Sequence, residues 1–182
     1  MLDPETVDLS LTTVSRDLKD LLNTPEPPEL GPERRKITES LAEIDGVLGP
    51  KANPLLRATV LLWHDHLDES HNIAQGIETR DGSYLHGIMH RREPDYGNAK
   101  YWFHRVGRHA CFEPLAKTAA SVLSKEEKLT KRLLPGREWD PFAFIDACEE
   151  VARGSLSDEQ AALLRKIQAA ELTLLFDHFL AR

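Results

Sequence analysis

Apolar residues along the chain recur mainly at intervals of three and four, the spacing that gathers side chains on one face of an α-helix. The first such stripe covers residues 7–22, and the last covers residues 163–180. No stretch alternates with the period of two that a half-buried β-strand requires. The pattern predicts an all-α protein, a compact array of about eight or nine paired antiparallel helices.

Capping residues and prolines predict where these helices begin. An N-cap residue followed by proline, or a capping box, favours a helix start. Four such signals occur, at Asp3-Pro4, Asn53-Pro54, Asp140-Pro141 and Ser157 with Gln160. We therefore predict helices that begin at each of them.

Between these signals the boundaries are set by breaks in the pattern. We predict a helix over residues 33–48, a turn at Asp65-His66, and a second turn over residues 80–83. Helices over 84–92 and 95–107 follow, with Asp95 as N-cap of the second. Residues 125–136 are predicted to be a charged connector, in which residues 125–132 form a solvated surface segment and Leu133 and Leu134 at its end need burial.

Composition limits the number of domains, the kinds of partner and the cellular location that the sequence predicts. The 182 residues suit one domain, residues 1–182, because a chain of this length buries a core without disulfide or metal staples. A formal charge of −7 argues against nucleic-acid binding, which needs a basic face. Two cysteines without metal-motif spacing, no signal-peptide pattern and no apolar run of about 20 residues predict a cytoplasmic protein with no membrane association. The oligomeric state stays open, homo-oligomers included.

The candidate chemistry is concentrated in the middle of the chain. Seven of the eight histidines lie within residues 64–109. His86 and His90 are four residues apart, so they share one face of their helix. Part of this segment is explained by helix packing rather than by chemistry. Gly87 and Ala99 are small enough to let two helices approach, and Phe103 is a bulky apolar residue that can fill the space between them.

Residues 84–107 resemble one helix-turn-helix unit of the tetratricopeptide class, in particular its Sel-like subclass. The resemblance rests on small and aromatic positions and on an Asp before the second helix, namely Gly87, Met89-His90, Asp95, Ala99, Trp102-Phe103 and Val106. It implies a pair of close-packed helices and a groove that binds a partner. His86 and His90 depart from it, since such units carry bulky apolar residues there. The string HGIMHRREPDYGNAKYWF also resembles a group of bacterial and fungal proteins, a resemblance that implies no activity.

One interpretation of the histidines is a metal site. A pair at i and i+4 can bind one ion, and His71 could supply a third imidazole to His86 and His90. The ion would be zinc, iron or manganese, with an open position for water, and the protein would be a metal-dependent enzyme of the hydrolytic type. Gly87 stands where the zincin motif carries its glutamate. The alternative is that these histidines are ordinary hydrogen-bonded core and surface residues.

A second interpretation is a binding pocket, and the sequence favours binding as the function. The donors expected to hold a small anionic ligand, or a partner protein, are Arg91, Asn98, Tyr101, Trp102 and Arg105. Asn98, Tyr101 and Arg105 are spaced by three and four residues, so they form one polar stripe. The alternative is that Arg105 pairs with Asp95 or Glu93 and only locks the hairpin.

Overall fold

The computed structural model describes residues 18–31 and 38–182, and within them it contains nine α-helices, one 3-10 turn and no β-strand. The helices are α1 (Leu41–Leu48), α2 (Pro54–Trp63), α3 (Leu67–Ala74), α4 (Arg80–Arg92), α5 (Tyr96–Val106), α6 (Phe112–Val122), α7 (Glu127–Leu133), α8 (Pro141–Ala152) and α9 (Asp158–Leu180). The all-α prediction is confirmed, and the number of helices agrees with it. The predicted N-terminal helix lies outside the described residues except for 18–20, which are helical.

The helix starts follow the capping residues of the sequence. Asn53 and Asp140 accept hydrogen bonds from backbone amides in the first turns of α2 and α8, and Asp95 does the same for α5. Ser157 and Gln160 form a reciprocal capping box at α9. The predicted turn at Asp65-His66 is also confirmed, since α2 ends and α3 begins on either side of it.

Three predicted boundaries were wrong. Helix α1 begins at Leu41 rather than near residue 33, because Ser40 and Glu43 form a capping box there. Residues 38–40 are not helical, and residues 32–37 lie outside the described part. The predicted connector contains helix α7, whose Leu129 and Leu133 are buried against the core.

The third error concerns residues 80–83, which are the first turn of α4 rather than a separate turn. Thr79 is the N-cap, and its side chain accepts a hydrogen bond from the Gly82 amide. Asp81 in the first turn also favours a helix, because its charge complements the positive end of the helix dipole. Helix α4 therefore starts one turn earlier, and Asp81 belongs to it.

Helix α4 lies at the centre of the molecule. Helices α2, α3 and α5 all pack against it, and every residue from Gly82 to Arg92 is buried. Helix α9 closes the far side by packing on α2, α6 and α8. Two apolar clusters result, and Leu174 of α9 packs against both.

Two arginines at the end of α4 are fully buried and paired. The Arg91 guanidinium lies 2.6 Å from Glu171 Oε2 and donates to Gln168 Oε1 at 3.1 Å. Tyr84 donates its hydroxyl to the same Glu171 carboxylate at 3.0 Å. Burial raises the pKa of Tyr84 well above its ordinary value, so the phenol stays protonated and remains a donor.

The second arginine, Arg92, ties α4 to the preceding hairpin. Its guanidinium forms an ion pair with Asp65 and donates to the Leu62 carbonyl. Its Nε donates to the Glu29 carbonyl at 3.0 Å. Asp65 holds a left-handed backbone conformation with φ of 66°, which Asp tolerates better than most residues. These contacts fix the turn between α2 and α3, and with it the direction in which α3 leaves.

Gly87 allows close packing of α4 against α5. A Cβ at this position would lie 2.7 Å from Phe103 Cδ2, and Phe103 is itself buried. Gly87→Ala is therefore expected to lower the free energy of unfolding by about 1–3 kcal/mol, since overpacking outweighs the better helix propensity of alanine. Thermal unfolding would measure this as a melting temperature lower by roughly 2–10 °C.

Gly97→Ala is the matched control for that substitution. Gly97 also lies in a helix, but a Cβ there would meet nothing within 4 Å. We expect it to leave stability unchanged or raise it by about 0.5–1 kcal/mol. Equal melting temperatures for the two variants would contradict the close contact at Gly87.

Candidate metal centre

Two neighbouring helices bring three histidines together. His71 lies in the last turn of α3, His86 in the middle of α4, and His90 one turn further along α4. One ligand atom from each lies within 4.8 Å of the others. The ring centroids of His86 and His90 are 4.8 Å apart, and His71 lies 4.6 Å from the first and 5.5 Å from the second. The structure therefore groups the three residues that the sequence singled out as metal ligands.

Burial keeps the two α4 histidines neutral. His86 is 4% exposed, and its pKa is lowered to about 4 by burial and then by the neighbouring His90 and His71. Burial also lowers the pKa of His90, against an opposing effect of Asp95. A neutral imidazole keeps one unprotonated nitrogen, which is the form that binds a metal.

His86 also has an unsatisfied nitrogen. Its Nδ1 is buried and has no hydrogen-bond partner. A buried polar atom without a partner is costly and rare in folded proteins. A ligand that bonds to the imidazole cluster is one physical reason for retaining such an atom.

Helix α5 forms one wall of this site. The Trp102 ring stacks on His86 with centroids 3.9 Å apart and fixes the orientation of that imidazole. Asn98 Nδ2 lies 3.0 Å from His90 Nε2 and 3.4 Å from its Nδ1. Because it is near both nitrogens, the amide lies against the ring rather than occupying one nitrogen alone.

Two carboxylates lie near Nδ1 of the His90 ring. Glu93 Oε2 and Asp95 Oδ2 are each 3.9 Å from His90 Nδ1. Histidines that bind metals commonly direct their second nitrogen toward a carboxylate, which orients the ring and makes it a better ligand. Glu93 and Asp95 are therefore placed to support His90 as a ligand.

The triangle of imidazoles is wider than a bound ion requires. Tetrahedral zinc with bonds of about 2.0–2.1 Å holds its nitrogens about 3.3 Å apart. The present spacing of up to 4.8 Å must therefore close by up to roughly 1.5 Å. His71 is only half-buried, so rotation of its side chain can supply much of that movement.

Of the five residues predicted to bind a ligand, four lie on α5 and only Arg91 lies elsewhere. Asn98 and Trp102 contact the histidines, and Tyr101 and Arg105 both lie beside Trp102, at 5.4 Å and 5.3 Å from its ring centroid. Arg91 is instead fully buried in its pairing with Glu171. The anion pocket thus loses the cation expected at its inner end.

Other histidines of the central segment hold the backbone in place. His64 contacts Thr38 Oγ1 at 2.6 Å and the Leu21 carbonyl at 2.7 Å. His66 Nε2 lies 2.8 Å from the Glu39 carbonyl. The exposed His104 packs its ring against Phe142 at 4.5 Å.

A second polar cluster was missed by the sequence analysis. Asp81 accepts contacts from His109 Nε2 at 2.8 Å, His178 Nε2 at 3.2 Å and Arg182 Nη1 at 2.6 Å. Asp81 had been assigned to a turn, and His178 lies almost 100 residues away, so only the folded chain brings them together. The cluster ties the C-terminal end of α9 to the start of α4.

This second cluster is a poor metal site despite its two histidines and one carboxylate. The Cys111 amide donates to His109 Nδ1 at 3.1 Å, so that nitrogen carries no proton. The proton of the neutral ring must then sit on Nε2, the nitrogen that faces Asp81. Binding an ion there would require loss of that proton as well. In the His71, His86 and His90 cluster the comparable contact is that of the Asn98 side-chain amide with His90, and a rotation of the Asn98 side chain removes it.

Comparisons of the chain with protein-family models, with curated proteins and with solved structures found no match. Among the described helices, none is both long and apolar enough to cross a bilayer.

Proposed function

We propose that this protein binds one divalent transition-metal ion through His71, His86 and His90. The observation that carries the proposal is the meeting of three imidazole ligand atoms within 4.8 Å, two of them on buried, neutral rings. The unsatisfied Nδ1 of His86 supports it further. Because His71 is half-buried, an ion held here would keep one side toward solvent.

The donor set narrows the choice of ion. Imidazole suits zinc, iron, copper and nickel, whereas magnesium and calcium require mainly oxygen ligands. All three members of the cluster are histidines. The Glu93 and Asp95 carboxylates lie 3.9 Å from His90 Nδ1 and are not part of the cluster of ligand atoms. Of zinc, iron and manganese we therefore favour zinc or ferrous iron.

Titration with cobalt(II) tests this function directly. Cobalt replaces zinc and reports its own coordination by visible absorbance, so stoichiometry and geometry are measured together. We expect one equivalent to bind with a dissociation constant of about 1 µM or tighter, equivalent to about −8 kcal/mol. Protein that stays colourless with excess cobalt and carries no metal after expression in zinc-supplemented medium would overturn the proposal.

A second candidate function is the binding of a partner protein, in keeping with the tetratricopeptide-like resemblance. Its support is Tyr101, which is 54% exposed beside Trp102 and Arg105. Tyrosine, tryptophan and arginine are the residues that most often dominate binding energy at interfaces. A protein that the parent captures in a pull-down should bind Tyr101→Ala at least tenfold more weakly, while cobalt binding stays unchanged. Equal capture by the parent and the variant would contradict this second function.

We also propose a cytoplasmic location. Cys111 and Cys148 are both free and buried, as expected where thiols are kept reduced.

A further inference from the structure

We propose that the metal centre is hydrolytic and that its substrates are uncharged carboxylic esters, with Asn98 as a catalytic hydrogen-bond donor. This inference rests on the proposed binding of a metal by His71, His86 and His90. It adds a reaction, a substrate class and one further residue. Three features of the site support it: an incomplete ligand set, the charges beside it, and the placement of Asn98.

The ligand set is that of a catalytic rather than a structural site. Structural zinc sites use four protein ligands, whereas catalytic sites use three and leave a position for water. Here the cluster holds ligand atoms from three histidines, and no further histidine, cysteine, aspartate or glutamate of the described residues belongs to it. The surrounding helices are also packed by apolar contacts around α4, so the fold has its own core without an ion.

The charges beside the site disfavour anionic substrates. Glu93 and Asp95 place two negative charges within 3.9 Å of His90 Nδ1, enough to balance a divalent ion. Arg91 and Arg92 are paired elsewhere, with Glu171 and Asp65 respectively. The Arg105 guanidinium lies over the Trp102 ring, 5.3 Å from its centroid. Phosphate recognition normally relies on unpaired arginine or lysine at the site. An uncharged carbonyl group meets no such repulsion.

Asn98 is placed to assist the reaction of a carbonyl group. Its Nδ2 lies 3.0 Å from His90 Nε2, so the amide borders the position that an ion would occupy. Its backbone N–H bonds to Asp95, and its side-chain amide is hydrogen-bonded to His90. An ion bound by His90 would displace this amide, which would then be available to donate to a substrate. A donor next to the reacting carbonyl oxygen stabilises the negative charge that develops there.

The reaction consumes one water and one ester. A divalent ion lowers the pKa of a bound water and so supplies a nucleophile near neutral pH. The water oxygen would form a bond to the carbonyl carbon while the carbonyl oxygen takes up negative charge, which Asn98 would stabilise by donating a hydrogen bond. The bond from carbon to the alcohol oxygen then breaks, and a proton from the water ends on that alcohol. The products are a carboxylic acid and an alcohol.

Zinc-loaded protein assayed with 4-nitrophenyl acetate and 4-nitrophenyl phosphate tests the inference. We expect release of nitrophenol from the acetate at a rate at least tenfold above the chelator-treated protein, and none from the phosphate. Asn98→Ala should lower kcat roughly 100-fold with unchanged zinc affinity. Asn72→Ala is the matched control, because Asn72 is an exposed asparagine on α3 beside His71 and should leave kcat unchanged.

A double variant tests the electrostatic argument separately. Glu93→Gln with Asp95→Asn removes both charges, and asparagine preserves the N-cap of α5. Inorganic phosphate should then inhibit ester hydrolysis about tenfold more strongly than it inhibits the parent. Zinc that binds without zinc-dependent hydrolysis of the acetate, or preferred hydrolysis of the phosphate ester, overturns this inference alone. Protein that binds no zinc overturns the proposed function with it.

Discussion

Arg91→Met is expected to lower the free energy of unfolding by about 3–5 kcal/mol, the largest effect on stability among the substitutions considered. Arg91 and Glu171 are both 0% exposed and lie 2.6 Å apart. Methionine has a similar volume, so the cost comes mainly from leaving a carboxylate buried without its partner. Urea denaturation of the purified variant measures the loss as a lower midpoint at unchanged slope.

Two controls separate charge from packing. Adding Glu171→Leu to Arg91→Met removes the second charge, and we expect about half or more of the lost stability to return. Recovery stays incomplete because Tyr84 and Gln168 lose partners at the same time. Lys117→Met breaks an ion pair whose members are 75% and 80% exposed, and its urea midpoint should stay close to that of the parent, because solvent screens exposed charges. If the double variant is no more stable than Arg91→Met, the buried pair is not the source of the loss.

The success and the errors of the sequence-based prediction both follow from local information. Helix starts at Asn53, Asp140 and Ser157 could be predicted because a cap acts on backbone amides two or three residues away. The same locality explains the error at Asp81, since an Asp-Gly pair suits a turn as well as a helical first turn. Thr79, two residues earlier, was the signal that distinguishes them, because its side chain caps the helix at the Gly82 amide.

The candidate site was predictable only in part. That His86 and His90 share a face follows from helical periodicity alone. The approach of His71 depends on how α3 packs on α4, which the Arg92 contacts to Asp65 and Leu62 help to fix across the preceding turn. Arg91 was expected at a pocket because its guanidinium is a strong donor to an anionic ligand. That partner, Glu171, lies 80 residues away, and no local pattern indicates it.

His86→Ala combined with His90→Ala is expected to abolish the binding of one cobalt(II) ion and to weaken any remaining affinity more than 100-fold. Two of three ligands are lost, and one half-buried imidazole at His71 cannot hold an ion against water. Cobalt titration and elemental analysis of protein expressed with added zinc measure the loss. We expect the metal-free variant to stay folded, because His86 contributes a stacked ring but also a buried nitrogen without a partner.

His104→Ala is the control for that double variant. His104 is an exposed histidine of the adjacent helix whose ring packs on Phe142, and it is not part of the cluster. It should bind cobalt with the affinity and absorbance of the parent. A double variant that still binds one equivalent would place the ion elsewhere, and the Asp81 cluster could then be tested by His178→Ala. The double variant lacks the two α4 imidazoles of the cluster, whereas His104→Ala lacks one imidazole outside it. Loss of cobalt binding in the first and its retention in the second would therefore assign the ion to the cluster of His71, His86 and His90.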